Sequence, residues 1–522
     1  MIVARKARRV SSRLSLSLSW ASVLWTGIAI IVLYVIQYQV YQKYHTVYNS
    51  EKDTSDKKSI MESPIFGNNS NNNNNSVIFT QGSHFSSKNC SPSGPCFGTN
   101  KSNVYDSLRT KKVDVQQPNS SDLQVKAKKL FDDGKWNSSF VSSHHKHYPV
   151  NCAAIIRGDR QSITMATKML KTNGKKIPTD VEVKNWTSDC EHYRSKRRYP
   201  VFPRSKEEEE FPIAYIIVTH SESSQLERLL RAVYQPQNVY CIHPDAKSPS
   251  LFQDSVRSLA ECFPNVFIAS KTVNVNYAHS SRLQADINCM SDLLQRPEPW
   301  NYVLNLCAQD FPLKTNLEII HQLKAFQGYN DIPGILAPDW FDHRTRIHHE
   351  FRNNMMIKMK DVPKPPPPQD FRFFFGNAYY AATREFANYV IHNQTAIDLL
   401  KYSEDTFSPD EHYWVTLHRI PGVPGGYTKS SWNSTVRFIH WKNTFKTPEC
   451  VGKYARNICI FGAGYVQHLA HARHLFANKF HMSYDPIAIQ CMEQLLDYRN
   501  ANTEAIKDYV PEFPATHMFG LN

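Results

Sequence analysis

A carboxylate that could remove a proton stands in the motif Ser408-Pro409-Asp410-Glu411. The motif has the form of a helix start, with Ser408 as N-cap, Pro409 at the first helical position and Glu411 where a capping box has its acid. A general base must stay ionised and must reach the proton that it removes, and a helix N-terminus favours the ionised form. The pattern therefore supports two interpretations of Glu411 equally, a structural cap and a catalytic base.

Cations that could stabilise a departing diphosphate occur in two short segments near the C-terminus. Cys450 and Cys459 bracket a segment that contains Lys453 and Arg456, and a bridge between them would close this short loop. Lys479 follows in Phe-Ala-Asn-Lys-Phe. Two positioned cations can stabilise charge that develops on a phosphate leaving group. The alternative is a pair of surface cations in a chain with 61 lysines and arginines, and spacing alone favours it.

Metal-binding and nucleic-acid-binding motifs are weak or missing in the sequence. It contains no Asp-x-Asp pair, Walker loop or Gly-x-Ser-x-Gly elbow. His468, His471 and His474 have helical spacing, but no cysteine pair with zinc-finger spacing accompanies them. The net charge of +14 suits a nucleic-acid binder or an enzyme with a phosphate-bearing substrate. Without nucleic-acid motifs the second class is favoured, and we expect neither a metal nor a cofactor.

Strand-like and helix-like patterns alternate between residues 211 and 326. Strands are predicted at 213–219, 239–243, 266–269 and 302–306, with helical apolar spacing between and after them. The alternation predicts an α/β fold with a mostly parallel sheet covered on both faces. Ligands bind at the carboxyl ends of such strands, which would bring His220, Asp245 and Asp310 to a nucleotide cleft. Periodicity alone favours ordinary polar loop residues at these three positions.

Residues 327–370 break this alternation. They are rich in Asp, His, Arg and Met and end in a run of prolines. A loop of this length inside a compact domain is often functional. The pattern becomes strand-like again over residues 371–383.

An apolar segment near the N-terminus predicts a membrane anchor. Residues 14–42 carry no charged side chain, and a bilayer core needs about 20 apolar residues. Basic residues precede the segment, so the N-terminus should stay cytoplasmic. A cleaved signal peptide is the alternative, but a small-residue cleavage site is missing. The sequence therefore favours an uncleaved signal anchor with the rest of the chain lumenal or extracellular.

Composition divides the 522 residues into five predicted parts. These are a cytoplasmic tail (1–13), a transmembrane signal anchor (14–40), a stem (41–150), a lumenal catalytic domain (151–500) and a C-terminal tail (501–522). The stem is rich in Asn and Ser, carries most of the N-glycosylation sequons, and buries too little apolar surface to fold. Its Cys90 and Cys96 could form a local bridge.

Several segments, taken together and in order, resemble a known family. They are Phe211-Pro-Ile-Ala-Tyr, Leu229-Leu-Arg-Ala-Val-Tyr, Tyr240-Cys-Ile-His, Arg282-Leu-Gln-Ala-Asp-Ile-Asn-Cys, Asn305-Leu-Cys-Ala-Gln-Asp-Phe-Pro-Leu-Lys-Thr-Asn, Ser408-Pro-Asp-Glu and Leu475-Phe-Ala-Asn-Lys-Phe. The chain resembles the β-1,6-N-acetylglucosaminyltransferases of the Golgi, the core 2 and I-branching enzymes. The resemblance runs from about Cys152 to Cys491 and does not include the stem.

The resemblance implies a GT-A-type fold without an Asp-x-Asp motif and inverting, metal-independent transfer from UDP-GlcNAc. In that family the matching positions make Glu411 the base that deprotonates an acceptor 6-hydroxyl, and make Arg456 and Lys479 the cations that bind the diphosphate. Donor contacts of the family fall on Val218, Thr219, His220, Asp245, Ala246, Lys247 and Tyr277. Thr219 replaces a residue that is usually apolar in the family.

The resemblance also implies a disulfide pattern and a location. The implied bridges are Cys152–Cys491, Cys190–Cys262, Cys241–Cys289 and Cys450–Cys459, with Cys307 free. The implied location is the Golgi membrane, in single-pass type II topology, with the catalytic domain in the lumen. The expected partners are UDP-GlcNAc, a glycan acceptor on glycoproteins or glycolipids and the Golgi membrane, without nucleic acid, and a homodimer is compatible with the sequence.

The acceptor is the least determined part of the prediction. Residues 328–334, 420–425 and 431–433 look closer to the I-branching type, which predicts β1,6 branching of galactose in poly-N-acetyllactosamine. Core 2-type branching of O-linked mucin glycans is the alternative. A third hypothesis, from another class, is a catalytically silent sugar-binding protein, although Glu411, Arg456 and Lys479 are all present. Residues 340–352 match neither type cleanly, so no acceptor-binding residue is assigned.

Overall fold

The computed structural model describes residues 145–172, 174–429, 432, 434, 436–442, 449–502 and 511. None of the helices in these ranges is long and apolar enough to cross a bilayer. The predicted cytoplasmic tail, anchor, Cys90 and Cys96 lie outside the described residues, as do most of the predicted stem and C-terminal tail. Residues 145–150 pack against the folded domain, where the Tyr148 side chain is 1% exposed.

Fourteen strands are described in the chain. They are β1 (Ile213–Thr219), β2 (Val239–Pro244), β3 (Val266–Ile268), β4 (Tyr302–Cys307), β5 (Asp310–Pro312), β6 (Gly334–Leu336), β7 (Ile347–Arg352), β8 (Met355–Pro363), β9 (Phe374–Gly376), β10 (Ala381–Thr383), β11 (Arg437–Ile439), β12 (Lys453–Ala455), β13 (Ile458–Ile460) and β14 (Phe476–Asn478).

The α-helices of the described residues are α1 (Cys152–Ile156), α2 (Arg160–Thr172), α3 (Asp180–Trp186), α4 (Cys190–Lys196), α5 (Lys206–Glu209), α6 (Ser223–Val233), α7 (Ser250–Glu261), α8 (Ser281–Gln295), α9 (Asn316–Ala325), α10 (Asp342–Thr345), α11 (Arg384–His392), α12 (Gln394–Ser403), α13 (Tyr413–His418), α14 (Val466–His471) and α15 (Pro486–Ala501). Short 3-10 turns lie at Asp339–Phe341, Pro368–Asp370, Pro409–Glu411 and Ala463–Tyr465.

The central sheet has the strand order β10-β4-β1-β2-β3. The four strands from β1 to β4 pair in parallel, and β10 joins β4 antiparallel at one edge. The chain winds outward from β1 through β2 to β3 and then returns to place β4 on the other side of β1. This reversal leaves a crevice beyond the carboxyl ends of β1 and β4, where such folds bind ligands. The predicted mostly parallel sheet is confirmed.

Both faces of the central sheet are covered because its side chains alternate between two cores. Along β1, Ile213, Tyr215 and Ile217 face a core that includes residues of α6, α7 and α9. Their neighbours Ala214, Ile216 and Val218 face the opposite core, which includes residues of α8, α11 and α13. Strands that are buried on both faces read as continuous apolar runs rather than as an alternation of apolar and polar residues.

A second sheet carries the C-terminal part of the domain to the crevice. It has the order β11-β14-β5, and the register pairs Asn478 of β14 with Asp310 of β5. A third core surrounds this sheet and includes Tyr148, Cys152 and Ile487, so the first and last described helices pack together. The residue after β14 is Lys479, which the sheet therefore brings close to the end of β4.

The segment predicted to be strand-like, residues 371–383, contains two short strands. The structure divides the segment into β9, which pairs with β6, and β10, which joins the central sheet. The division follows Gly376, where an added Cβ atom would lie 2.0 Å from the carbonyl oxygen of Pro333. Only glycine allows this close approach, and β9 ends there.

The structure forms four disulfides, in the pairing that the resemblance implies. They join Cys152 to Cys491, Cys190 to Cys262, Cys241 to Cys289 and Cys450 to Cys459. Cys307 is the free cysteine within the described residues. Bridges of this number are typical of proteins that fold in an oxidising compartment.

Candidate active site

Lys479 is positioned by buried hydrogen bonds at the end of the second sheet. The Asp310 carboxylate accepts hydrogen bonds from the Asn478 side chain at 2.8 Å and from the Cys307 backbone N–H at 2.7 Å. It also lies 3.3 Å from the Arg437 guanidinium. Burial raises the pKa of Asp310, and Arg437 opposes this rise. Asp310 thus acts as an internal anchor that joins β14 to β4, rather than as a group that faces the crevice.

Arg456 lies at the turn of a small hairpin. Strands β12 and β13 pair Ala455 with Ile458, which leaves Arg456 and Asn457 as a two-residue connection. Both residues have positive φ angles, of 50° and 62°, as a type I′ hairpin turn requires. The Cys450–Cys459 bridge ties the hairpin to the preceding chain. The Arg456 guanidinium lies 4.8 Å from the centroid of the Tyr277 ring, an arrangement that permits a cation–π contact.

A cavity of about 500 Å³ brings predicted donor-binding residues together. His220, Arg456 and Lys479 line it, and Lys453 and Lys175 add two further cations. Burial lowers the pKa of Lys479, and the charge of Arg456 lowers it further. Burial also lowers the pKa of His220. The described lining residues include no carboxylate, so the cavity favours an anionic ligand.

The loop that follows β2 holds three of the predicted donor contacts, Asp245, Ala246 and Lys247. Asp245 is buried, and its Oδ1 atom accepts hydrogen bonds at 3.1 Å from the backbone N–H groups of Lys247 and Val275. The Lys247 Nζ atom lies 3.2 Å from Asp245 Oδ2 and 3.0 Å from Asn276 Oδ1. Asp245 therefore fixes the segment that leads to Tyr277. This segment supports the ring beneath Arg456.

The other predicted donor contacts differ in exposure. Val218 is 8% exposed and belongs to the core, whereas Tyr277 is 65% exposed. Thr219 is buried, and within the described chain its hydroxyl has no hydrogen-bond partner. Ala246 is fixed by its backbone N–H, which donates to the Val273 carbonyl at 3.1 Å.

Glu411 does not close a capping box. Ser408 has a φ angle of 50°, its side chain makes no capping hydrogen bond, and residues Pro409–Glu411 form a 3-10 turn before α13. Ser408 thus stands at the N-cap position, as predicted, but the interpretation of its side chain and Glu411 as a capping box is wrong. The Ser408 backbone N–H instead donates to the Ala278 carbonyl at 2.8 Å. This bond ties the Glu411 turn to the residue after Tyr277, and hence to the chain beneath Arg456.

Arg344 is the partner of Glu411. Its Nη1 atom donates to Glu411 Oε2 at 2.6 Å. Three aromatic rings hold the Arg344 guanidinium, with centroids between 5.2 and 5.4 Å away: Phe341, Phe375 and Phe407. Burial raises the pKa of Glu411, and the charge of Arg344 opposes this rise. A carboxylate near a fixed cation and partly shielded from water has the properties of a general base.

Arg344 was not predicted from the sequence, although the segment that contains it was predicted to be a functional loop. Arg344 lies in α10, inside residues 327–370, whose length and composition indicated a functional loop. The partners are 67 residues apart in the chain. The composition of the segment was therefore the signal in the sequence that could indicate a functional residue there. No rule of sequence spacing connects Arg344 with Glu411.

Two neighbours of Glu411 have strongly shifted pKa values. Burial, and then the charge of Glu411, raise the pKa of Asp410 to about 7. Burial lowers the pKa of His412 to about 3, with Arg344 adding to the effect. His412 is therefore neutral at physiological pH. Glu411 is thus the member of this turn that combines partial exposure, of 32%, with a cationic partner.

The arrangement defines a class of enzyme. The site has two parts, a carboxylate with a guanidinium partner and a cavity rich in cations. The segment at residues 275–278 joins these parts at the carboxyl ends of parallel strands. Such a site suits transfer of a group from an anionic leaving group to a nucleophile that must lose a proton. Within the described residues, no group of three or more His, Cys, Asp or Glu side chains could hold a metal ion.

Comparisons with known proteins identify the family. Residues 213–470 match the model of the core-2/I-branching enzyme family. The chain is 46% identical over 323 residues to the human N-acetyllactosaminide beta-1,6-N-acetylglucosaminyl-transferase, a match that spans 60% of this chain and 80% of that protein. The chain belongs to the core-2/I-branching enzyme family, and the resemblance seen in the sequence motifs is confirmed.

Other relatives carry the core 2-type name. The human beta-1,3-galactosyl-O-glycosyl-glycoprotein beta-1,6-N-acetylglucosaminyltransferase 3 is 42% identical over 366 residues, which is 67% of this chain and 83% of that protein. The mouse beta-1,3-galactosyl-O-glycosyl-glycoprotein beta-1,6-N-acetylglucosaminyltransferase 4 is 42% identical over 360 residues. This match spans 67% of this chain and 79% of that protein. The family therefore contains relatives of both acceptor types at similar identity.

Proposed function

We propose that the protein transfers N-acetylglucosamine from UDP-GlcNAc to the 6-hydroxyl of a galactose in poly-N-acetyllactosamine, and so creates a β1,6 branch. Family membership makes the chain a β1,6-N-acetylglucosaminyltransferase. The observation that carries the proposed mechanism is the combination of Glu411, paired with Arg344, and a cavity whose described lining residues include Arg456 and Lys479 and no carboxylate. The 46% identity to the N-acetyllactosaminide relative supports the choice of acceptor.

In the proposed mechanism Glu411 takes the proton of the acceptor 6-hydroxyl. The acceptor O6 atom forms a bond to the anomeric carbon of GlcNAc as the bond from that carbon to the phosphate oxygen breaks. The electron pair of the broken bond leaves with UDP, and Arg456 and Lys479 stabilise the added negative charge. Attack from the face opposite the departing UDP inverts the anomeric centre, so an α-linked donor gives a β-linked product.

The proposed donor site is a GT-A-type crevice that works without a metal ion. The fixed cations of Arg456 and Lys479 supply the positive charge, with Lys453 and Lys175 in the same cavity. Val218, Thr219, His220, Asp245, Ala246, Lys247 and Tyr277 are the proposed donor contacts. Asp245 and Lys247 support this role, because their bonds hold the Tyr277 segment in place.

The proposed location is the Golgi membrane, with residues 14–40 as a type II anchor and the catalytic domain in the lumen. The four disulfides support a lumenal domain. A glycoprotein or glycolipid would present the acceptor glycan on the same side of the membrane.

Core 2-type branching is a second candidate, because relatives with that acceptor in their names are 42% identical to this chain. The full-length protein is incubated with UDP-GlcNAc and either linear poly-N-acetyllactosamine or Galβ1,3GalNAc, and the linkage of the product is read by NMR. We expect β1,6-linked GlcNAc on galactose of the first acceptor. Product on the GalNAc of the second acceptor alone would establish the core 2 activity instead, and no transfer to either acceptor would refute both.

A further inference from the structure

An exposed apolar surface lies on the segment that interrupts the α/β alternation. Ile335 of β6 and Phe375 of β9 are direct partners in an antiparallel pair, so their side chains share one face. The Trp340 indole contacts the Phe375 ring edge-on, with the ring centroids 6.1 Å apart. Ile335 is 53% exposed and Trp340 is 60% exposed. We call these three side chains the Trp340 platform.

The platform is continuous with the group that holds the base. The Phe375 ring that contacts Trp340 also lies 5.4 Å from the Arg344 guanidinium. Phe341 repeats the arrangement, with its ring 6.1 Å from Trp340 and 5.3 Å from Arg344. Arg344 in turn donates to Glu411. None of these residues lines the donor cavity, and the platform connects to Glu411 through Arg344.

We propose that the Trp340 platform binds an acceptor sugar that adjoins the branched galactose, an inference that rests on the proposed function. The reacting 6-hydroxyl must lie at Glu411 while the donor fills the cation-lined cavity, so the acceptor chain continues away from that cavity. A pyranose ring has one face of C–H groups and a polar rim. An indole ring offers a large, rigid apolar area for such a face at low entropy cost.

The chemistry of the platform selects a neutral sugar. Its three side chains carry no charge, and Trp340 and Ile335 leave apolar surface exposed to solvent. The neighbouring sugars of galactose in poly-N-acetyllactosamine are uncharged N-acetylglucosamine rings. Trp340 is therefore a specificity-determining residue that favours extended neutral acceptors over a lone galactose.

The test compares acceptors that contain or lack the adjoining sugar. Initial rates are measured for the full-length protein and for the variants Trp340→Ala and Trp340→Phe, with a poly-N-acetyllactosamine hexasaccharide and with methyl β-galactoside. We expect Trp340→Ala to raise the KM for the hexasaccharide about three- to tenfold, the effect of losing one aromatic contact. The kcat value and the KM for the galactoside stay unchanged, and Trp340→Phe recovers most of the loss.

Phe202→Ala is the matched control, because Phe202 is 77% exposed and lies outside the platform and the donor cavity. This control, the melting temperature and the affinity for UDP should all stay at wild-type values. An unchanged KM for the hexasaccharide in Trp340→Ala would overturn the proposal. So would an equal rise for both acceptors, or a loss of kcat together with a lower melting temperature, which would indicate a structural role.

A binding measurement distinguishes failure of the proposed function from failure of the platform proposal. If the wild-type protein transfers GlcNAc to neither acceptor, the proposed function has failed. Calorimetric titration with the hexasaccharide then shows whether the platform binds the sugar. Weaker binding by Trp340→Ala, with Phe202→Ala unchanged, then supports the platform. Equal binding by all three proteins refutes it.

Discussion

The two sides of the site hold their charged groups in opposite ways. On the base side Glu411 has its own counter-ion, because Arg344 donates to it at 2.6 Å. On the donor side Arg456 contacts the Tyr277 ring and Lys479 lines the cavity, and within the described residues neither pairs with a carboxylate. The protein thus supplies a counter-ion for its base, whereas the two donor-side cations are available to pair with an anionic ligand.

The difference matches the chemistry that each side has to perform. A base must be ionised before the acceptor arrives, and a nearby cation keeps a partly buried carboxylate ionised. A group that stabilises a leaving phosphate acts best when its charge is not already matched by the protein, in a place where the donor excludes water. Four predictions test this contrast.

The largest expected effect is on the base. Glu411→Gln should lower the rate of GlcNAc transfer by at least about 10³-fold, because an amide cannot accept the acceptor proton. Binding of UDP, measured by calorimetry, should stay within about twofold of the wild type, since the donor cations are untouched. The matched control is Glu404→Gln, at an exposed position. Transfer by Glu411→Gln at a normal rate would show that another group is the base.

Loss of a donor-side cation should reduce transfer by about 10²- to 10³-fold. Arg456→Ala and Lys479→Ala should also weaken UDP binding in calorimetry, unlike Glu411→Gln, so the two measurements separate the two sides. Lys206→Ala, at a side chain that is 84% exposed, is the control. Transfer by the wild-type protein should persist in EDTA. Loss of transfer in EDTA would contradict the role given to the protein cations.

Removing the counter-ion of the base should change the pH dependence of transfer. Burial raises the pKa of Glu411 and Arg344 opposes the rise, so Arg344→Met should raise this pKa further. Transfer needs the ionised carboxylate, and it is lost as the pH falls through the pKa. The acidic limb of the kcat profile should therefore move to higher pH, and Arg344→Lys should restore it. An unmoved limb would mean that Arg344 does not control the charge of Glu411.

The smallest expected effect concerns the neighbour of the base. Burial raises the pKa of Asp410 to about 7, above its value in the unfolded chain. Such a carboxyl destabilises the fold as the pH rises through this range, because folding then has to bury a charge. Asp410→Asn should raise the melting temperature by a few degrees at pH 8 and by little at pH 5. Equal changes at both pH values would argue against a shifted pKa.

Sequence patterns predicted the strands of the parallel sheet with good accuracy. The apolar run at residues 213–219 is β1 to the residue, because a strand buried on both faces leaves a continuous apolar signal. His220, Arg456 and Lys479 do line one cavity. For Asp310 the pattern left a cleft residue and an ordinary polar residue open, with the second favoured. The structure makes it an internal anchor, since Asn478, Cys307 and Arg437 all bond to or pair with its carboxylate.

The sequence did not predict how Glu411 is held. The Ser-Pro-Asp-Glu pattern fits a capping box, yet Ser408 adopts a positive φ and bonds to Ala278 through its backbone. A local pattern describes only the neighbours along the chain. The turn is instead fixed by a segment that lies more than a hundred positions earlier in the sequence.

By itself, the sequence determined the alternation of strands and helices, the order of the family motifs and the chemical types available to the site. These depend on periodicity and on short spacings, which survive without knowledge of the fold. Only the tertiary structure decided that Arg344 pairs with Glu411, that Asp310 is withdrawn from the crevice and that Trp340 stands exposed against the rings that hold Arg344. Those outcomes depend on how irregular segments pack against a sheet, and packing over long separations leaves no repeating signal in a single sequence.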